Sequence, residues 1–573
     1  MRPSTFPNPL RALAAGAALA AFACGALADP LAEVEPRPLA GPHPVACSNV
    51  EQAFSRLPAG EPVELTWEGY PRADGSPRYV TDLLADPANT LVAHFTAPDD
   101  RTLFGPWRAA KLTYVLLVCY PTTASNPRAD YGLPNGRVVP RMQRGSQEPL
   151  LPASGGRWPL LVFSHGYGGS PLSNDYLEAI AVFASHGYVV VAPFHGDPRY
   201  AVLSLDDLRD VYASLANFER YTAMQATRPL SASAALDVVL AHPHWRDRVD
   251  PERIGGFGAS QGGETMMLMG GAELTTSITL SSKAVGFDPR LRGAVGYVPY
   301  FGQRILPAFG RDNRGTAGVT LPYLAISGTA DVTAPIGPVE DGLHRLASSR
   351  GLVALTGVEH GFDEASAGDI FTWSLAWLDA FVRDDRRARA GLDRMLRVRG
   401  GGDDVLRIDY VAPAAERADE RIVVEYYNAS LDHYFVTAEP AEIAMLDAGQ
   451  VVPGWTRTGY AFKSWSPGVA TGVPACRFFG TPGRGPNSHF FTIDARECGL
   501  VQANADWAFE GLAFQALPSG VGVCPPDLAV VWRLYNDGKG GEANHRYLTS
   551  ATEIGDMVGE GWLVEGPVFC TPP

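Results

Sequence analysis

Positive charge is what this chain is short of. Lys and Arg number 47 against 62 Asp and Glu, a formal net charge of −15. The clustered cations that phosphate contacts require are therefore missing, and no nucleic-acid partner is expected. Cysteine is scarce, seven in 573 residues. Beyond the N-terminus no apolar run is long enough to suggest a transmembrane segment, and no low-complexity tract interrupts the chain. With 46% hydrophobic and 19% charged residues, the composition is that of a folded soluble protein, and the length suggests at least two domains.

The N-terminus reads as an export address. Arg2 and Arg11 precede the Ala/Leu-rich run Leu13–Leu27, and Ala26-Leu27-Ala28 precedes Asp29. A cationic start, an apolar stretch and a small-residue cleavage site predict a signal peptide over 1–28 and a secreted or periplasmic product. Cys24 follows Ala21-Phe22-Ala23 and lacks the leucine usual three residues before a lipoprotein cysteine; lipidation there is the secondary alternative. Six cysteines then remain, Cys47, Cys119, Cys476, Cys498, Cys524 and Cys570, an even number that suits an oxidising compartment. Their segregation makes Cys47–Cys119 a natural pair. Pairing among the last four is open, with 476–498 and 524–570 favoured, and free buried thiols are the competing reading.

Three regions follow. Residues 29–150 read as β-rich, with Leu112–Tyr120 the clearest strand, and are taken as the leading part of a catalytic domain spanning 29–410. From 157 onward strands and helices alternate, which implies a mostly parallel central sheet covered on both faces. The expected elements are a strand at 158–163, a helix at 174–186, a strand at 188–193, helices at 229–242 and 261–270, strands at 293–298, 323–327 and 351–356, and a closing helix at 367–383. Residues 411–420 read as a linker. Over 421–573 there is an internal repeat, marked by His433-Tyr434-Phe435, His489-Phe490-Phe491 and His545-Arg546-Tyr547. Each unit later carries a tryptophan (Trp455, Trp507, Trp562) and an aromatic end (Phe462, Phe514, Phe569). Three units of one plan predict a small β-rich, pseudo-threefold domain, with helical pieces at 439–446 and 552–557. Exposed, the tryptophans would let this domain bind a polymer or a surface; at fixed repeat positions tryptophan more often belongs to a core, which is the favoured reading. The evenly spaced histidines raise a metal site on the threefold axis, against a structural role at a strand start. No metal and no cofactor is assigned.

The chemistry lies in Gly258-Ala259-Ser260-Gln261-Gly262. A G-x-S-x-G run between a strand and a helix places its serine on a tight turn, and glycines on either side let backbone approach. A serine hydroxyl is a poor nucleophile and needs a base, itself oriented by an acid. In the order serine, acid, histidine, Asp331 follows the strand ending at Ser327, and His360 lies on the loop before the last helix. Glu359 and Asp363 are alternatives for the acid. The oxyanion donors expected are the backbone N–H groups of Tyr167, in Ser164-His165-Gly166-Tyr167-Gly168-Gly169, and of Gln261. His165 precedes the serine, against the expected order, and reads as packing under the turn.

From about 110 to 385, with Phe163-Ser164-His165-Gly166 and Ala184-Ser185-His186-Gly187-Tyr188, the chain resembles the platelet-activating-factor acetylhydrolase-like and dienelactone-hydrolase-like branch of the α/β-hydrolases, which includes cutinase-like bacterial polyester hydrolases. The resemblance implies an α/β-hydrolase fold and a carboxylic-ester hydrolase working through an acyl-enzyme without metal. Ala259 departs from the commoner G-H-S-x-G form. The C-terminal repeats resemble secreted bacterial repeats of no assigned function. The substrate class implied is an ester, lipid-like or polymeric. A serine peptidase of the same fold and a non-catalytic binding protein are the alternatives. Segments 200–228 and 270–318, rich in Leu, Tyr, Phe and Met, are expected to wall an acyl pocket.

Overall fold

The computed structural model describes residues 31–573 except 49, 58, 145–146, 154–155, 174, 203–216, 450–452 and 521–522. The expected signal segment and Cys24 fall outside the described residues. The described chain forms two compact units, one made of Glu35–Asp384 with Arg397–Ile408, the other of Asp385–Leu396 and Asp409–Pro573 together with Leu31–Val34.

The first unit is built on a ten-stranded sheet. Its strands are β1 (Val45–Cys47), β2 (Leu91–Thr96), β3 (Lys111–Pro121), β4 (Trp158–Ser164), β5 (Val189–Pro193), β6 (Val249–Ala259), β7 (Leu291–Tyr297), β8 (Tyr323–Gly328), β9 (Arg350–Leu355) and β10 (Asp404–Tyr410). They lie in the order β10-β9-β8-β7-β6-β4-β5-β3-β1, with β2 also on β3. The five pairings from β9 to β5 are parallel, whereas β3 is antiparallel to β5, β1 and β2. Buried β4, β5, β8 and β9 read as near-continuous apolar runs because helices cover both faces. Where β6 has glycines instead, neighbours move in: a Cβ at Gly255 would meet Val382 at 2.6 Å, and one at Gly256 would collide with the Met266 sulfur.

The principal helices of this unit are α1 (Tyr176–Ser185), α2 (Phe218–Ala241), α3 (Gln261–Met269) and α4 (Ala367–Phe381). The helix expected at 229–242 thus starts eleven residues earlier. Pro229, read as a helix start, sits inside α2, where it removes one backbone donor; the Ser231 hydroxyl bonds the Arg228 carbonyl at 2.8 Å in the next turn. The helix therefore takes in the last eleven residues of the expected insertion 200–228. The leading part is also less β-rich than expected, since Glu64–Glu68, Thr81–Leu84 and Arg101–Phe104 are short helices. Cys47 and Cys119, direct partners on β1 and β3, form a disulfide.

The second unit holds the repeats. Each is strand, strand, helix, strand: β11 (Glu420–Asn428), β12 (His433–Thr437), α5 (Pro440–Ala448), β13 (Trp455–Trp465); β14 (Val473–Gly480), β15 (His489–Thr492), α6 (Ala495–Gln502), β16 (Trp507–Pro518); β17 (Ala529–Tyr535), β18 (His545–Leu548), α7 (Ala551–Gly559), β19 (Leu563–Thr571). In every repeat the first strand pairs antiparallel with the second and the third. Helix α6 was not expected, although Asp494 caps it by accepting from the Glu497 N–H at 2.7 Å. The chain read as a linker runs directly into β11, which begins at Glu420. Disulfides join Cys476 to Cys498 and Cys524 to Cys570, the pairing favoured from sequence.

Trp507 and Trp562 are buried and Trp455 is half-buried against Phe435, the core placement favoured from their fixed repeat positions, and three exposed rings are not found. The histidines are likewise taken up separately: His433 bonds the Asn487 carbonyl, His489 packs on Phe435, and His545 packs on Phe490. Among the described residues no group of three His, Cys, Asp or Glu is arranged to hold a metal.

Ion pairs join successive repeats. Arg477 of the second repeat takes Glu442 from the first repeat's helix at 2.9 Å and Glu510 at 2.7 Å. Arg533 of the third takes Glu497 from the second repeat's helix at 3.0 Å and Glu565 at 2.6 Å. At the matching position the first repeat has Glu425, of the wrong sign to meet the third repeat's Glu553. Arg546, standing where the other repeats have Tyr434 and Phe490, bridges Glu425 at 3.0 Å and Glu553 at 2.9 Å.

Candidate active site

Ser260 lies between β6 and α3 with φ 52° and ψ −116°, a conformation uncommon for a residue with a side chain. Its neighbours explain the flanking glycines. A Cβ on Gly258 would overlap the Gly262 carbonyl, and one on Gly262 would overlap the carbonyl of Ser164 at the end of β4. The turn is pinned by Ser260 N–H donating to Tyr297 O at 2.9 Å, and by the N–H groups of Gly263 and Tyr300 donating to Ser260 O at 2.9 and 3.0 Å. The side chain thus sits at the positive end of α3.

Asp331 and His360 come from the turns after β8 and β9. These turns are zipped together by Thr329 N–H to Leu355 O and Ala330 N–H to Val358 O, both 3.0 Å, and by Gly357 N–H to the Thr329 hydroxyl at 2.8 Å. The Asp331 carboxylate is buried; its Oδ1 accepts from the N–H groups of Thr333 and Ala334 at 2.8 and 2.7 Å. Its Oδ2 lies 2.7 Å from His360 Nδ1, and His360 Nε2 lies 3.0 Å from Ser260 Oγ. Because ionised Asp331 only accepts, the His360 proton sits on Nδ1, which leaves Nε2 as the acceptor for the serine hydroxyl. Asp363, weighed as the acid, instead caps the turn before α4 through the N–H and hydroxyl of Ser366. Tyr297, at the end of β7, donates its hydroxyl to Gly361 O at 2.6 Å and so holds the histidine turn. Nothing in the sequence pattern singled it out.

The Gly-rich turn after β4 faces the serine: a Cβ on Gly166 would lie 3.5 Å from that of Ser260. Tyr167 bonds the Ala201 carbonyl through its hydroxyl at 2.9 Å. Gln261, first residue of α3, is buried, and its amide donates to Glu264 at 2.5 Å; Gln225 donates to the other oxygen, also at 2.5 Å. Burial pushes the Glu264 carboxyl up to about 8, opposed by the Gln261 hydrogen bond and by Arg228. His165 is fully buried, and its ring bonds groups other than Ser260. Its Nε2 accepts from the His195 N–H at 3.1 Å, so Nδ1 carries the proton and donates to Gly166 O at 2.8 Å. Burial, followed by Arg228, pulls its pKa down to about 4.

A serine on a strand-to-helix elbow, bonded to a histidine that is bonded to a buried carboxylate, is an arrangement able to activate a hydroxyl for attack on a carbonyl carbon. A family described as platelet-activating factor acetylhydrolase, isoform II, one of the α/β-hydrolase families, matches residues 140–214. That segment holds β4, the Gly-rich turn, α1 and β5 but ends before Ser260. Residues 408–517, which include the first two repeats, match a domain of unknown function, DUF5648. No curated protein matches the chain.

Proposed function

We propose that the chain is an exported serine hydrolase of carboxylic esters with the α/β-hydrolase fold, in which Ser260 is the nucleophile, His360 the general base and acid, and Asp331 the group that orients His360. The observation that carries this reading is the continuous contact Ser260 Oγ–His360 Nε2–His360 Nδ1–Asp331 Oδ2, at 3.0 and 2.7 Å. His360 accepts the hydroxyl proton as Ser260 Oγ bonds to the ester carbonyl carbon. The backbone N–H groups of Tyr167 and Gln261 receive the developing oxyanion; removing one such donor costs about 2.7–4 kcal/mol of transition-state stabilisation. His360 then protonates the leaving alcohol, and a water activated by the same imidazole releases the acid from the acyl-enzyme.

An apolar acyl group suits the surroundings. Val332, next to Asp331, and Ile305 are strongly exposed, and the Gln303 side chain ties the hairpin carrying Ile305 to the Val332 and Thr333 carbonyls at 3.2 and 2.9 Å. Lipid-like esters and polyesters, as in the resembling branch, are the proposed substrates. Three disulfides suit an oxidising, extracytoplasmic compartment. The repeat domain is proposed as a spacer or polymer-binding module.

A panel of p-nitrophenyl esters of increasing chain length, a polyester film and a set of peptides, given to wild type and Ser260→Ala, tests the proposal. Ester turnover lost in the variant is expected. Peptide turnover without ester turnover would make the protein a peptidase. No Ser260-dependent turnover of either would make it a binding protein. Deletion of 409–573 that lowers only film hydrolysis would assign polymer binding to the repeats.

A further inference from the structure

Beneath the Gly-rich turn lies a buried ion pair for which the serine, histidine and aspartate have no use. Arg228, from the interior of α2, and Asp197, just after β5, are each 1% exposed. They meet in a two-pronged contact, Nε to Oδ1 at 2.8 Å and Nη2 to Oδ2 at 2.5 Å. The guanidinium does not stop there: Nη1 donates to the His165 carbonyl at 2.7 Å, and Nη2 donates to the Gly166 carbonyl at 3.1 Å. Asp197 Oδ2 also accepts the Gly168 N–H at 3.1 Å. One charge pair therefore grips three successive points of the turn. A buried pair contributes little net stability on average because desolvation offsets the attraction, so its value here is sought in the geometry it imposes.

We propose that Arg228 and Asp197 are positioning residues that aim the Tyr167 N–H into the oxyanion hole, an inference that rests on the esterase reading above. In a planar trans peptide the C=O and the following N–H point in opposite directions. The Gly166 carbonyl is held by three donors, His165 Nδ1–H at 2.8 Å, Arg228 Nη2–H at 3.1 Å and Gly169 N–H at 3.3 Å. Its peptide partner, the Tyr167 N–H, is thereby turned away from Arg228. The preceding peptide is fixed in the same way: the His165 carbonyl faces Arg228, and the Gly166 N–H donates to the Tyr176 hydroxyl at 3.1 Å. Buried neutral His195 braces the assembly from below, bonding the hydroxyls of Ser164 at 2.8 Å and Ser231 at 2.9 Å. Preorganised donors stabilise a transition state because they need no reorientation when charge develops, and a rigid ion pair provides that rigidity.

The test uses the full chain with two variants. Arg228→Lys keeps a cation beside Asp197, but a single ammonium cannot span the carboxylate and two carbonyls. Arg228→Met with Asp197→Leu removes both charges, leaves no lone buried ion and carries the test if the single variant does not fold. For the folded protein, kcat on a p-nitrophenyl ester is expected to fall at least tenfold with KM within about threefold of wild type. Affinity for a trifluoromethyl ketone, whose adduct with Ser260 places an oxyanion in the hole, should fall in parallel, while affinity for the matching methyl ketone stays unchanged. A folded variant with kcat within twofold of wild type, or equal losses for both ketones, would overturn the assignment. Wild type without Ser260-dependent turnover would instead defeat the esterase reading itself.

Discussion

The hydroxyl of Tyr297 donates to the carbonyl of Gly361 at 2.6 Å, so the strand beside Ser260 fastens the turn that carries His360. The same strand end accepts the Ser260 N–H. Ser260 and His360 are therefore referred to one support, and a shift of one without the other is resisted. Tyr297→Phe removes the tie without removing the ring. A stability loss of about 0.5–1.5 kcal/mol is expected, with a several-fold drop in kcat and little change in KM; unchanged kcat would mean that the Asp331 contact alone fixes His360.

The two glycines of the elbow should tolerate no side chain. At Gly258 and Gly262 a Cβ meets backbone carbonyls, whereas at Gly256 it meets the end of the flexible Met266 side chain. Gly262→Ala should lower the unfolding temperature more than Gly256→Ala, for which an overpacking cost of about 1–3 kcal/mol is expected. Equal shifts in a thermal melt would contradict the backbone contact at Gly262.

Asp331 and Asp363 make a paired comparison. Asn at 331 can present its amide N–H to Nδ1 and favour the wrong imidazole tautomer, an effect of about 10⁴ on kcat in a serine protease. Asp363→Asn perturbs only the cap before α4, and kcat should stay within a few-fold. Reversed magnitudes would move the orienting role to Asp363.

Glu264 predicts a pH dependence. Its carboxyl is raised from the ordinary 4.5 to about 8, chiefly by burial. Between those values the folded protein holds a proton that the unfolded chain has released, so this group's contribution is complete below about 4.5 and is lost as pH rises toward about 8. Glu264→Gln carries no such proton. Its unfolding temperature should decline less between pH 5 and pH 8 than that of wild type, and parallel declines would show that Glu264 is ionised throughout.

Much of this was legible because it is local. The elbow is a five-residue pattern, and Asp331 and His360 each sit just after a buried strand, so chain order and element ends were enough to nominate them. Arg228 and Asp197 carry no such mark. They lie 31 residues apart, one inside a long helix and one opening a single 3-10 turn, and only folding brings both beneath Gly166. Pro229 hid the helix that supplies Arg228, since a proline inside a helix and one at its first turn look alike in sequence. The tryptophans were ambiguous for a different reason: a fixed place in a repeat does not say which side of a strand faces inward.

The bridge made by Arg546 should be costly to cut. Arg546→Met leaves Glu425 and Glu553 buried or half-buried without their shared cation, and loss of one partner of a buried pair typically costs about 3–5 kcal/mol. Adding Glu425→Arg recreates the arginine found in the other two repeats and should recover most of that loss in a calorimetric melt. No recovery would mean that the bridge matters for packing rather than charge.

With Glu425 in place of arginine, the first repeat can follow the third only through Arg546, and the third can accept no fourth unit without losing that closure. The domain thus behaves as a ring whose joints are keyed. Its chain could be cut and rejoined between any two repeats and still match every joint, and only the joint between third and first differs from the other two, since the Arg477–Glu442 and Arg533–Glu497 joints share one key. The first and third repeats are therefore fixed as ends by charge, whereas the second has joints of one kind on both sides.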